Sequence, residues 1–269
     1  MKLNMTRVLT VALAGSIIFF TACNKKDTRT SNDEVSQDVI SQIKALGFNT
    51  YDVKKVSEGY LVENDIILTE NDLRNTQQIS PELVIANEEH YRTTNLVSTN
   101  GKRTLTVSLN TTAAPFPAAL TEALKRYNDQ NLQLDFAQTS GTADINIVTF
   151  YQVSNTLGSS GFPSGGNPYN QVRMNTYWYN TNTNVDYMAS IIAHEIGHCI
   201  GYRHTDYMNR KYSCGPGPGS NEGQAGVGAI WIPGTPTKAD ADSWMLACIG
   251  SGVNRPFTAN DVTALTTVY

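Results

Sequence analysis

The sequence His194-Glu195-Ile196-Gly197-His198-Cys199-Ile200-Gly201-Tyr202-Arg203-His204 contains three of the chain's 4 histidines. His194 and His198 are four residues apart, so on a helix their side chains project from one face as neighbours. That spacing lets two imidazoles reach one zinc ion at about 2.0–2.1 Å each. Glu195 points about 100° further round the helix, beside the metal rather than towards it. The run therefore predicts a zinc-binding helix.

The third histidine needs a break in that helix. If the helix continued, His204 would lie about 9 Å further along the axis than His198, too far to share the metal. Glycine can adopt a positive φ and end a helix, so Gly201 is predicted to turn the chain and bring His204 under the zinc. The full H-E-x-x-H-x-x-G-x-x-H spacing is much more specific than two helical histidines. His90 is outside the run and is predicted to be a solvated surface residue.

Three histidines leave a fourth coordination position for water, which is typical of a catalytic zinc site. Zinc lowers the pKa of that water towards 7, and Glu195 is predicted to take its proton as general base. We therefore predict a zinc-dependent endopeptidase that hydrolyses protein or peptide substrates. Two alternatives remain open: a non-catalytic zinc-binding surface module, which has no need of Glu195, and a zinc hydrolase of a non-peptide acyl bond.

The N-terminal segment has the pattern of an export signal. Basic residues precede an apolar run over residues 8–20, which is too short to span a bilayer as a permanent helix. It ends in Phe20-Thr21-Ala22-Cys23, which resembles the lipobox of bacterial lipoproteins, although Leu is usual at the place of Phe20. Residues 1–23 are therefore predicted to be a lipoprotein signal peptide with an acylated Cys23. The protein would be exported and lipid-anchored to the bacterial membrane or cell surface; an ordinary secretory signal is the alternative.

Charge and cysteine content restrict the partners and the compartment. A formal net charge of −4, with no basic run among aromatics, argues against a nucleic-acid binder.

Cys214 and Cys248 flank a Gly/Pro-rich stretch that cannot build its own core, and an oxidising compartment permits a disulfide there. Two separate thiols, or a bridge to Cys199, are the alternatives. Cys199 lies in an apolar helical run and is predicted to be a small buried hydrophobe.

The chain divides into two parts after the signal. Residues 24–90 are predicted to be a tether and an N-terminal pro-peptide-like region, with a helix that Gly47 stops, a strand over 60–68, and a short polar helix near residues 71–72. An N-terminal subdomain that stays in place is the alternative. Residues 91–269 are predicted to be the catalytic domain, and we expect a monomer.

Periodicity places strands and helices in the catalytic domain. Strands are predicted over 103–109, 132–136 and 143–151, and a Gly/Pro/Ser/Asn loop over 157–170. Helices are predicted over 116–127, 186–200 and 258–269, the last with the cap signature Thr258-x-x-Asp261. The fold class is predicted to be α+β, with a twisted mixed sheet, an active-site helix and a C-terminal helix.

These motifs resemble the metzincin zinc metalloproteases, and most of all the bacterial dual-action HEIGH metallopeptidases, because HEIGH stands letter for letter at residues 194–198. The resemblance covers about residues 91–269 and implies a metzincin-like fold. It also implies a methionine in a tight turn beneath the zinc. Met245 fits that place in sequence order, with a plain core methionine as the alternative. Thr205, after the third histidine, is similar to the pappalysin branch, the second-choice subfamily.

The resemblance implies further features of the cleft. An edge strand should align the substrate by main-chain pairing, and residues 143–151 are the candidate, with the loop 158–170 between it and the active-site helix. Some relatives bind structural Ca²⁺ in such loops, for which Asp144 and backbone carbonyls are candidates. Because no cysteine follows Cys23 in the N-terminal region, an acidic residue such as Asp65 is the candidate for blocking the zinc, as in some metzincin pro-peptides.

Two positions limit what the resemblance implies. Ala247 stands where several metzincins have a tyrosine that stabilises the tetrahedral intermediate, so the oxyanion partner beyond zinc is unassigned, with Tyr202, Tyr207 and Tyr212 as candidates. Asp206 either orients a ligand histidine or is a turn residue.

Overall fold

The computed structural model describes residues 35–74, 90–215, 228–236 and 240–269. The helices are α1 (Gln37–Ala45), α2 (Glu70–Arg74), α3 (Phe116–Asn128), α4 (Val185–Ile200), α5 (Lys211–Cys214) and α6 (Ala259–Val268). The strands are β1 (Lys54–Val56), β2 (Gly59–Val62), β3 (Ile66–Leu68), β4 (Tyr91–Arg92), β5 (Arg103–Leu109), β6 (Leu134–Gln138), β7 (Ile145–Phe150), β8 (Gly158–Ser159), β9 (Gln171–Asn175) and β10 (Ile230–Trp231). In these ranges no helix has the length and apolarity that a bilayer crossing needs. The predicted signal peptide and Cys23 lie outside the described residues and stay predictions.

A five-stranded mixed sheet supports the catalytic domain, in the order β6-β5-β7-β9-β8. The first four strands are parallel, and β8 pairs with β9 antiparallel. Together with the helices, this sheet confirms the predicted α+β class. The prediction that residues 143–151 form the edge strand was wrong, because β7 pairs with strands on both sides. The edge on the β9 side is β8, two residues long, within what the sequence indicated was a loop.

The zinc-motif helix α4 is packed into the domain core. Its N-terminus is capped by Asn184, whose side chain accepts a hydrogen bond from the Tyr187 amide. Helix α3 packs against it, and the Tyr127 hydroxyl donates to the Ala193 carbonyl over 2.7 Å. Almost every α4 side chain is buried, which explains why its sequence is apolar nearly all round rather than on one stripe. The histidines therefore project from a rigid element.

The N-terminal region is a helix and a three-stranded sheet, β1-β2-β3, with its own small apolar core. The prediction of one strand over 60–68 was wrong, because β2 and β3 are antiparallel and form a hairpin. The turn places Glu63 and Asn64 at positive φ, 57° and 73°. Two successive positive φ values define the hairpin turn type that asparagine favours. Phe162 of the catalytic part belongs to the same core, and residues Asp33–Tyr269 form one compact unit.

Asp261 links three parts of the catalytic domain. Its carboxylate lies 2.7 Å from His90 Nε2 and accepts hydrogen bonds from the Ser243 hydroxyl, the Trp244 amide and the Thr258 amide. The last contact belongs to the predicted capping box of α6, which the structure confirms. The prediction that His90 is a surface residue was wrong, because only 1% of it is exposed. Its partner lies 171 positions away, which no local pattern reveals.

Cys214 and Cys248 are joined by a disulfide, and Cys199 is free and buried. The bridge links the end of α5 to the segment after Met245. Asp206 adds a second link there, since its carboxylate accepts hydrogen bonds from the Ser213 hydroxyl and the Ala247 amide.

Replacing Asp261 with alanine is expected to destabilise the protein by about 3–5 kcal/mol, because it leaves a buried histidine and several buried donors without their acceptor. Urea unfolding followed by tryptophan fluorescence measures the loss. The exposed Asp129 provides the control, whose alanine variant should change the free energy of unfolding by no more than about 0.5 kcal/mol. A loss in the Asp261 variant no larger than the control's would contradict the assigned linking role.

Candidate metal centre

Helix α4 and the turn after it bring three imidazoles together. The His194 and His198 ring centroids are 4.7 Å apart. The helix ends at Gly201, which has φ 113° and ψ 11°. A Cβ at this position would lie 2.8 Å from Leu96 Cδ2. After the turn, the His204 ring lies 4.7 Å from that of His198 and 5.3 Å from that of His194.

Asp65 joins the three histidines at the tip of the N-terminal hairpin. One potential ligand atom from each of the four residues lies within 4.8 Å of the others. Asp65 Oδ2 is 2.9 Å from His204 Nε2. Within the described part of the chain, this is the one group of three or more His, Cys, Asp or Glu side chains arranged to hold a metal ion. Asp65 is thus located where the sequence analysis placed a candidate blocking acid.

The imidazoles of α4 are oriented by backbone carbonyls. His194 Nδ1 lies 2.8 Å from the Trp244 oxygen, and His198 Nδ1 lies 2.8 Å from the Tyr202 oxygen. A carbonyl can only accept, so each Nδ1 carries the proton and each Nε2 presents a lone pair to the centre. Burial, assisted by His204, lowers the pKa of His194 to about 4. His194 is therefore neutral at pH 7, which is the form that binds metal.

The donor set fits a zinc ion. Three nitrogens and one carboxylate oxygen are the ligand types and the number that zinc takes in tetrahedral sites. Asp65 Oδ1 is buried and has no hydrogen-bond partner among the described residues. A buried carboxylate oxygen without a donor is costly, and a cation at this point would satisfy it.

Met245 lies directly beneath α4. A Cβ on Gly197 would approach Met245 Sδ to 2.6 Å, so glycine is required for this contact. The Met245 carbonyl accepts a hydrogen bond from the Thr205 amide over 2.9 Å, next to His204. The turn that carries Met245 therefore supports both the helix and the segment with the third histidine.

Glu195 is buried beside the cluster. Its Oε2 accepts a hydrogen bond of 2.7 Å from the Ser160 hydroxyl. Gly158 packs against it, and a Cβ there would lie 2.8 Å from Glu195 Oε1. Burial raises the pKa of the Glu195 carboxyl well above its usual range, and the nearby Asp65 carboxylate raises it further. Glu195 and His194 line one cavity of about 270 Å³.

The hairpin tip fills the cleft above this site. The Ser160 amide donates to the Asp65 carbonyl over 2.8 Å, and the Ile67 amide donates to the Ser160 carbonyl over 2.7 Å. Ile66 and Ser160 thereby form a parallel bridge. Arg210 holds the turn, because its Nη2 donates to the Glu63 carbonyl over 3.1 Å and its Nη1 lies 3.5 Å from Glu63 Oε2.

Several candidates from the sequence lie elsewhere. The Tyr202 hydroxyl donates to the Ala264 carbonyl in the core, Tyr207 packs on Tyr91, and Tyr212 is exposed. Among the described residues that line the cavity, none is one of these tyrosines. Asp206, which bridges Ser213 and Ala247, acts on the turn rather than on a histidine.

The calcium candidate Asp144 is bonded to protein groups. Its Oδ2 accepts from the Thr106 amide and hydroxyl over 2.8 and 2.7 Å, and Arg103 lies 3.8 Å from its Oδ1. Sequence reasoning missed Ser160 and Arg210, which contact Glu195 and Glu63 across 35 and 147 residues. Only the three-dimensional arrangement could identify them, since neither belongs to a local motif.

Comparison with known proteins identifies the family. The family described as dual-action HEIGH metallo-peptidase matches residues 60–269, a span that includes Asp65 as well as the histidine motif. A comparison with curated proteins gives no match.

Solved structures give weaker overlaps. They include two structures of myroilysin, both 16% identical to this chain. One has a TM-score of 0.40 and covers 65% of this chain and 98% of its own. The other has a TM-score of 0.38 and covers 63% of this chain and 86% of its own. High choriolytic enzyme 1, a hatching-enzyme zinc protease from Oryzias latipes (medaka fish), is 13% identical, with a TM-score of 0.37, 64% of this chain and 91% of that chain. The assignment rests on the family match, which spans well over half of the sequence: the chain belongs to the dual-action HEIGH family of zinc metallopeptidases.

Proposed function

We propose that the protein is a zinc-dependent endopeptidase in which Glu195 is the general base. His194, His198 and His204 would hold the metal. The proposal rests mainly on the convergence of four ligand atoms within 4.8 Å, with Glu195 and His194 on the same cavity wall. Bound zinc would supply Lewis-acid polarisation of the scissile carbonyl and of the attacking water.

Glu195 is suited to move a proton in this reaction. Its carboxylate is held by the Ser160 hydroxyl and by contact with Gly158, so its position is restricted before substrate binds. It would accept a proton from the attacking water and deliver it to the leaving amine nitrogen. A carboxyl group whose pKa is raised by burial is a better proton acceptor than an exposed one. The Trp244 and Tyr202 carbonyls keep the histidines in position meanwhile.

The contents of the cleft support a polypeptide substrate. Asp65 and Ile67, at the start of β3, already pair there with Ser160 through main-chain hydrogen bonds. Such pairing recognises the backbone of a peptide and is unavailable to a small ester. We therefore favour peptide hydrolysis over the non-peptide acyl alternative, and over a binding module because Glu195 is present and ordered.

Replacing Glu195 with glutamine should reduce kcat roughly 10²- to 10⁴-fold while zinc stays stoichiometric, because glutamine keeps the shape but cannot accept a proton. The comparison uses the Asp65→Ala chain with and without Glu195→Gln. Casein hydrolysis measures the loss of kcat, and metal analysis measures the zinc content. Asp129→Asn is the control.

Three results would contradict the proposal. They are full activity in the Glu195→Gln chain, hydrolysis of ester substrates without hydrolysis of casein, and purified protein that binds no zinc.

Replacing Gly201 with alanine should weaken zinc binding roughly tenfold, because about 1–3 kcal/mol of backbone strain opposes the turn that delivers His204. Competition with a chromogenic chelator measures the dissociation constant. Gly141 is the matched control, since it has an ordinary φ and its nearest neighbour is a side-chain atom at 3.7 Å from the added Cβ. Equal zinc affinity in both variants would show that the turn does not determine the site.

We also propose that residues 24–90 are a pro-region and that Asp65 is its inhibitory ligand. The carboxylate lies 2.9 Å from His204 Nε2, where a substrate would have to approach. The hairpin pairs with Ser160 in parallel and is anchored by Arg210. His90, at the end of that range, is buried against Asp261 and stays with the catalytic domain, so the pro-region would end at an activating cut between Arg74 and His90.

Replacing Asp65 with alanine should make the uncleaved chain active, because it removes the carboxylate that would bind the metal beside the three histidines. The initial rate of hydrolysis of a fluorescence-quenched peptide, measured before and after limited proteolysis of the chain, reports the change in activity. The uncleaved parent should be inactive until cleaved, and Asp38→Ala, a change of an exposed acid in α1, should behave like the parent. An uncleaved parent as active as the Asp65→Ala chain would sink the latency proposal and favour an N-terminal subdomain that stays in place.

Export and lipid anchoring through Cys23 complete the proposal. The basis is the sequence of residues 1–23 alone, in which a short apolar run ends at a lipobox-like cysteine. The Cys214–Cys248 disulfide is consistent with an oxidising compartment.

A further inference from the structure

The cavity beside the metal centre extends along α4 away from the cluster. Ser190 and Ile191, one turn before His194, form part of its wall. The segment 246–249, after Met245, and Arg255 form another part. At about 270 Å³ the cavity lies just below the range of roughly 300–1,000 Å³ usual for small-molecule sites, and it suits one substrate side chain.

Arg255 brings a positive charge to this cavity. Its Nη1 donates to the Cys248 carbonyl over 2.8 Å, and its backbone amide donates to the Ser190 hydroxyl over 2.8 Å. Three carboxylates, those of Asp206, Asp242 and Asp261, act electrostatically on the guanidinium, but none of the described ones forms an ion pair with it; the Cys248 carbonyl is the acceptor of its side-chain donors among the described residues. A guanidinium carries five N–H donors, so this cation is positioned by the fold with most of its donors available.

The N-terminal hairpin and the catalytic part line this cavity with side chains of opposite charge. The hairpin contributes Glu63 and Asp65, both acidic. From the catalytic part, two basic residues, Arg210 and Arg255, and one acidic residue, Glu195, line the cavity. In the intact chain the acidic tip therefore lies in a basic cleft, with Glu63 3.5 Å from Arg210. Once the tip leaves, two arginines and one carboxylate remain among the charged residues that line this cavity.

We infer that Arg255 selects substrates with an acidic side chain next to the scissile bond. This rests on the proposed endopeptidase function and adds a substrate class to it. A carboxylate entering the cavity can form a bidentate pair with the guanidinium, the strongest common hydrogen-bonded pair in proteins. An uncharged amide of the same shape leaves the cation uncompensated, so the site discriminates Asp from Asn despite their similar size.

The test compares peptides that differ at one residue. Quenched peptides carry Asp, Asn or Leu at either position flanking one cleavable bond, and mass spectrometry locates the cut. After limited proteolysis that releases the hairpin, the Asp65→Ala chain should hydrolyse an Asp peptide with a kcat/KM roughly 10- to 100-fold above that of its Asn counterpart. Arg255→Gln should bring this ratio close to one, and Arg255→Lys should keep part of the preference.

A binding measurement separates recognition from chemistry. Fluorescence anisotropy of the same peptides with the zinc-loaded Asp65→Ala, Glu195→Gln chain, treated by the same limited proteolysis, reports affinity without turnover. The Arg255→Gln change should remove the tighter binding of the Asp peptide. Lys102→Gln, a change of an exposed cation paired with Asp135, is the control and should leave both ratios unchanged.

Equal hydrolysis of the Asp and Asn peptides would overturn the inference and leave the peptidase function standing. So would a preference that survives in Arg255→Gln. Arg255-dependent binding of the acidic peptide, without cleavage of any peptide by the active chain, would overturn the endopeptidase function and keep the acidic recognition.

Discussion

The site depends on one backbone constraint, the left-handed turn at Gly201. Two histidines one helical turn apart can bind one metal ion without any change in the helix. The third can share that metal only if the helix ends and the chain reverses within a few residues. Glycine allows this because the turn needs φ 113° and because Leu96 leaves no room for a side chain. The metal centre is therefore a consequence of where α4 ends.

The rest of the domain keeps that turn and its histidines fixed. The sheet and α3 bury α4, and the Met245 turn supports the helix at Gly197 and the His204 segment through the Thr205 amide. Asp261 connects the same turn to α6. Carbonyls orient His194 and His198, and burial keeps His194 neutral, so these two imidazoles are presented for binding before any metal arrives. The packing that holds the histidines rigidly therefore also prepares them to bind the metal.

Local features of the sequence predicted much of this arrangement, and long-range features did not. The zinc helix, its end at Gly201 and the cap of α6 depend on neighbouring residues, so spacing and cap chemistry predicted them. Strand β7 was misread as an edge because an alternating segment does not reveal whether strands lie on both sides. The pairing of His90 with Asp261 and of Ser160 with Glu195 joins distant positions. The Glu63–Asn64 turn is a local feature that was missed, although three successive polar residues, one of them asparagine, mark it in the sequence.

The small apolar core of the N-terminal hairpin has a kinetic consequence. Phe162 of the catalytic part packs with Ile43 and Leu68 in that core, and Arg203 lies over the Phe48 ring at 5.3 Å. The hairpin is thereby attached through a packed surface as well as through the chain. Cutting the peptide link would lower its effective concentration at the cleft without breaking that surface. Release would follow dissociation, so the time to full activity would depend on dilution and temperature as well as on the cut.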